Sequence, residues 1–225
     1  GPSLAAAPCV ASAGAGPAGF AAGALRRLAA AAAAEEKDPL IATMSMNTGV
    51  FAGAVAARLR LDGVAVVEAV GPTATHLAFK AIVLANKYIA DDFKGKVLAV
   101  VPTKATMRGD KDMEVIGFRL SISPVVAPKA DTSNPDIFAA GSTNVGLMAG
   151  LMAQRLKTSK QVSVGGMGAK AINSAIKATI IARSYMEQTL GDSSELALVP
   201  SNSTFEEEGE TRTRMILSCM QCPRP

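Results

Sequence analysis

The feature that most constrains this chain is that it contains itself twice. Residues 47 to 89 laid against 144 to 186, with no gap, agree at about a third of positions. Matched pairs include Asn47 with Asn144, Arg58 with Arg155, Leu59 with Leu156, Gly71 with Gly168, Lys80 with Lys177 and Tyr88 with Tyr185. One residue out of phase the match resumes, setting the Ala-Val-Val-Pro that ends at Pro102 against the Ala-Leu-Val-Pro that ends at Pro200. An ungapped match of that length identifies a tandem duplication, so any fold assigned to one copy has to serve the other.

Within each copy the hydrophobic period alternates. Leu40 to Met46 is an apolar run of strand length, and Gly49 to Leu61 carries apolar residues at helical spacing until Asp62-Gly63 breaks it. Val64 to Val70 is rich in β-branched residues, and Pro72 opens a longer helix that runs through Ala90. Lys96 to Val101 and Glu114 to Ile122 read as two strands joined by a charged loop, Thr103 to Met113. The second copy repeats the order as strand 136 to 141, helix 146 to 157, strand 161 to 165, helix 169 to 188, and strands 195 to 199 and 211 to 220. The expected unit is β-α-β-α-β-β, in the α/β class as an α+β two-layer sandwich with helices on one face of a mixed sheet.

The flanking segments read differently. Residues 1 to 39 form an Ala-rich leader or arm, 40 to 123 the first repeat, 124 to 135 a linker marked by Pro124, Pro128 and Pro135, and 136 to 222 the second repeat. The leader has arginines on one side of an alanine run and acids on the other, with little apolar surface to bury. It reads as an arm or as an organelle-targeting segment, which favours a mitochondrion or plastid over the cytoplasm. Its long uncharged stretch, Ser3 to Leu25, is mostly Ala, Gly, Ser and Pro, so no transmembrane segment is expected.

The string from Asn173 to Arg183, preceded by Gly165-Gly166-Met167-Gly168, closely resembles the second-helix motif of the bacterial stage V sporulation protein S family; so does Asn144 to Gly150 ahead of it. The first copy is the more divergent, with Val70-Gly71-Pro72 in place of the glycine-rich turn. The resemblance implies two tandem Alba-like β-α-β-α-β-β units. It also implies nucleic-acid binding, since Alba-like domains often bind DNA or RNA as dimers, and a regulatory rather than catalytic role, since the sporulation family itself is regulatory without a known catalytic activity. A tandem copy would supply an intramolecular pseudo-dimer without the association entropy a homodimer must overcome.

The residues themselves point the same way on catalysis. One His, three Cys, and no duplicated nucleophile beside a base or carboxylate pair leave no catalytic set, no metal site and no cofactor to expect. His76 corresponds to Asn173, and the lone Cys219-x-x-Cys222 puts its thiols on opposite faces of a strand. Gly165 to Gly168 lies between a strand and a helix start, where backbone N–H groups can hold an anion, but it fits neither the P-loop nor the full dinucleotide fingerprint. It reads as tight strand-to-helix packing, and phosphate binding there would be asymmetric between the copies.

The candidate nucleic-acid contacts are cations. Lys80 and Lys177 recur in mid-helix within Ala/Ile-rich runs, where a lysine needs solvent or a partner. Arg58 and Arg155 recur near the end of the first helix, where the macrodipole also favours them. Lys170 and Arg183 add charge on the second long helix of copy two. Opposing them, Glu206, Glu207, Glu208 and Glu210 cluster in the last hairpin and would repel a phosphate backbone at that end. The net charge of +4 is modest, and aromatics are too sparse for an evident base-stacking platform. Two functions are therefore expected: a non-enzymatic nucleic-acid-binding protein, or an assembly subunit of a large organellar complex whose partners are other protein subunits.

Overall fold

The computed structural model describes residues 38–108, 114–127, 134–190 and 194–223; the leader expected over 1 to 39 lies almost wholly outside them. The first copy comprises β1 (Leu40–Ala42), α1 (Thr48–Asp62), β2 (Ala65–Ala69), α2 (Gly71–Tyr88), β3 (Val97–Arg108) and β4 (Glu114–Val125). The second comprises β5 (Ile137–Ala139), α3 (Val145–Ser159), β6 (Gln161–Gly166), α4 (Gly168–Tyr185), the single-turn α5 (Glu187–Leu190), β7 (Ser194–Glu207) and β8 (Glu210–Pro223).

Both β-α-β crossovers, β1-α1-β2 and β5-α3-β6, join parallel neighbours. The remaining strands pair antiparallel, and the eight form one sheet in the order β1-β2-β4-β3-β7-β8-β6-β5. At its middle Val100 pairs antiparallel with Leu198. These two are equivalent residues of the duplication, so a local two-fold axis passes between them. The expected pair of four-stranded sheets is thus a continuous sheet joined edge to edge, which covers the β3 and β7 edges that either half alone would expose.

The same axis relates the helices. α1 packs on α2, α2 on α4 and α4 on α3, so the helix layer runs α1-α2-α4-α3 over one face of the sheet. One core is shared by both copies and includes Leu59, Phe79, Ile82 and Leu120 from the first and Leu156, Ile172, Ile176 and Leu217 from the second. Thr75 and Thr179 are buried there because each hydroxyl donates to the carbonyl one turn earlier, Gly71 at 2.8 Å and Ala175 at 3.0 Å.

Local signals account for most boundaries. Asn47 and Asn144 are the N-caps of α1 and α3: the Asn47 side chain accepts from the Gly49 and Val50 amides, and Asn144 from Leu147. α1 ends at Gly63 with φ of 72°; the equivalent residue after α3 is Lys160, at φ 55°.

Two expectations need correction. The charged segment from Thr103 is not all loop, because β3 stays paired with β4 as far as Arg108 opposite Glu114. β7 likewise continues to Glu207, where Glu208 and Gly209, both at positive φ, close a two-residue turn. Charged and polar residues on these outer stretches hide the strand alternation. The results are two long hairpins that point away from the axis in opposite directions. The second long helix also stops sooner than residue 188, at Tyr185, before α5.

Candidate nucleic-acid interface

The helix layer sets the position of each predicted cation. Lys80 on α2 and Lys177 on α4 are exposed, on the two central helices, and exchange places under the local two-fold. Lys170, in the first turn of α4, is exposed as well. Among the described residues no carboxylate lies within ion-pair distance of any of these three lysines. Lys80 also acts on its neighbour one turn back: partial burial, and secondarily the Lys80 charge, lower the pKa of His76, which favours the neutral imidazole.

The arginines are placed differently. Arg58 on α1 is half-buried and borders a small pocket together with Asp38 and Asp62. Arg155 on α3 donates to Asp136 at 3.1 Å. Arg183 on α4 pairs at 2.6 Å with Glu195, which is 4% exposed. A buried carboxylate needs its cation, so Arg183 is engaged in holding α4 to the start of β7. At the equivalent place in the first copy Asn86 does this work without charge, its side-chain oxygen accepting from the Leu98 amide at 3.0 Å.

The glycine-rich turn divides by residue. Close packing holds at Gly165, where a Cβ would lie 2.5 Å from Pro135, and at Gly166, where it would lie 3.2 Å from Ala171. Gly168 and its counterpart Gly71 have open space around them, and their φ values of 80° and 81° explain the glycine instead. Cys219 belongs to the helix-facing core and Cys222 to a small cluster on the other face of the sheet with Ala99 and Ala197. Burial pushes their thiols up to about 12 and about 11, which leaves both protonated at neutral pH. Among the described residues no group of His, Cys, Asp or Glu is placed to hold a metal ion.

Sequence reasoning missed one cluster. Arg214 on β8 stands over the rings of Phe138 on β5 and Phe205 on β7. Three residues so far apart in the chain, on three strands, leave no spacing signal.

Two copies of a β-α-β-α-β-β sandwich sharing one sheet, with no metal-ligand cluster among the described residues, define an Alba-like α+β protein in tandem form. The chain belongs to the stage V sporulation protein S (SpoVS) family, whose model matches it twice, over residues 41–123 and 137–221. A comparison with curated proteins gives no significant match. No described helix is long and apolar enough to cross a membrane.

Proposed function

We propose that this is a non-enzymatic protein that binds DNA or RNA across its helix layer, with Lys80 and Lys177 on phosphates and Lys170 extending the contact on the second copy. The observation that carries the reading is the duplicated lysine pair: two equivalent cations, exposed on adjacent central helices, with no carboxylate among the described residues within ion-pair distance. Two like charges related by a two-fold suit a backbone whose phosphates recur regularly, and each phosphate contact releases condensed counterions. Arg155 and Arg183 serve the fold in this reading, and Arg58 lies at the flank.

The test is fluorescence anisotropy of labelled duplex DNA and RNA over a salt series. Binding should weaken as salt rises. Lys80→Ala with Lys177→Ala should lower affinity by about tenfold at low salt and flatten the log-log salt slope by about 2, with the unfolding curve unchanged. No salt-sensitive binding at moderate ionic strength would remove the reading.

A second reading is supported by exposed apolar residues that recur at equivalent positions: Val50 (73% exposed) with Leu147 (75%), Ile41 with Phe138, and Val70 with Met167. Recurrent exposed apolar side chains fit a protein partner, as in an assembly subunit of a mitochondrial or plastid complex. Recovery of the chain from organelles in a stable multiprotein assembly supports this; a monodisperse monomer there counts against it.

A further inference from the structure

A cavity of about 460 Å³ opens at the carboxyl ends of the parallel strands β5 and β6, within the size range of small-molecule sites. Phe138, Phe205 and Arg214 form one wall, Gly165, Gly166 and Met167 the floor at the entry to α4. The guanidinium carbon of Arg214 lies 4.8 Å from the centre of the Phe205 ring and 5.5 Å from that of Phe138. Aromatic faces on a guanidinium hold it in place and make it part of one flat wall. Phe138 remains 61% exposed, so its ring offers area for a further stacking partner.

The opposite end of the cavity is suited to negative charge. α4 starts there with no side-chain cap at Met167, whereas α3 is capped by Asn144. Lys170 lies along Gly141 of the rim, where a Cβ would approach its own Cβ to 3.1 Å. The one acid on the wall, Glu207, is paired with Arg212 at 2.6 Å.

These linings are particular to the second copy. By strand register the first copy has Ile41 for Phe138, Glu68 for Gly165, Met107 for Phe205 and Gly117 for Arg214. There a Cβ at Gly117 would meet the Ala69 carbonyl at 2.6 Å, and Glu68 pairs with Arg119 at 3.7 Å. The duplication has therefore kept the fold and changed this corner in one half.

We propose that the cavity binds a planar heteroaromatic ring joined to a phosphate, a nucleoside monophosphate being the simplest, with the ring on the Phe138 and Arg214 wall and the phosphate toward the start of α4. A purely apolar ligand would leave the start of α4 and Lys170 without a counter-charge, and an inorganic anion would leave the ring faces wet. A free nucleotide and one unit of a nucleic-acid strand share this chemistry.

The test is calorimetric titration of the full chain with AMP, adenosine and inorganic phosphate, and with a short oligoadenylate as competitor. AMP should saturate one site, with adenosine and phosphate each at least tenfold weaker. Phe138→Ala and Arg214→Gln should each weaken AMP at least tenfold, while Ile41→Ala, at the equivalent position of the first copy, should not. Phe138 is outside the core, so its variant should keep the wild-type melting curve. The Lys80→Ala, Lys177→Ala protein should bind AMP normally, which separates this site from the helix-layer reading. Competition by oligoadenylate identifies a strand as the source, and its failure to compete identifies a free nucleotide. No saturable AMP binding in the millimolar range, AMP binding no tighter than adenosine or phosphate, or AMP binding untouched by Phe138→Ala would overturn the proposal.

Discussion

Asp136 shows how one side chain fixes the entry to the second copy. One carboxylate oxygen accepts from the Ser163 amide at 2.8 Å and the Ser163 hydroxyl at 2.7 Å, and the other from Arg155 at 3.1 Å. Burial acts to raise its pKa, but the Ser163 hydrogen bonds and the Arg155 charge together outweigh it and hold the carboxyl below its usual range. A pKa depressed by folding gives stability that is complete above the unfolded value, about 3.9, and is lost as pH falls through the folded one. Asp136→Asn should therefore lower Tm by a few degrees at pH 7, and the gap to wild type should narrow as pH falls below about 4. A Tm gap that persists unchanged at pH 2 would assign the effect to packing. None of this could be read from Arg155, which the sequence presents as one of a repeated basic pair; its partner is close only because β5 and β6 are neighbours.

At the scale of elements, the long hairpins and the central helices set opposite electrostatics. The β7–β8 hairpin carries Glu206, Glu207, Glu208 and Glu210 near its turn, with Arg212 paired to Glu207 and, at 3.7 Å, to Glu210. Like charges gathered there oppose a phosphate backbone that approaches from that end. Glu206→Gln with Glu208→Gln should raise nucleic-acid affinity several-fold at low salt, with the gain disappearing in high salt; anisotropy over the same salt series checks it. The helices were legible because apolar residues at helical spacing, the Asp62-Gly63 break and Pro72 at a first turn agree. The hairpin arms were not, because Lys104 and Thr106 on β3, and Asn202 and Thr204 on β7, face solvent and read as loop composition.

For the molecule as a whole, the junction between the copies decides the assembly. Val100 against Leu198, and α2 against α4, form an interface of the kind two separate copies would use to make a symmetric dimer. A fragment of residues 134 to 225 presents the open β7 edge and the uncovered side of α4, so it should dimerise with itself, whereas the whole chain buries both. Sedimentation equilibrium of the fragment against the full chain checks this; a monomeric fragment of native stability would show that the junction contributes little.

The amino-acid order by itself determined the duplication, the class of each unit and where the four long helices start, because these depend on residues close in the chain and on a comparison of the chain with itself. Lys80 and Lys177 stand out by that comparison alone. That they lie exposed on adjacent helices, that Arg155 and Arg183 are held by carboxylates, and that Phe138, Phe205 and Arg214 meet around a cavity were decided only when distant strands were brought into register. Side-chain partnership across a sheet is a property of registry between segments, and no local pattern encodes it.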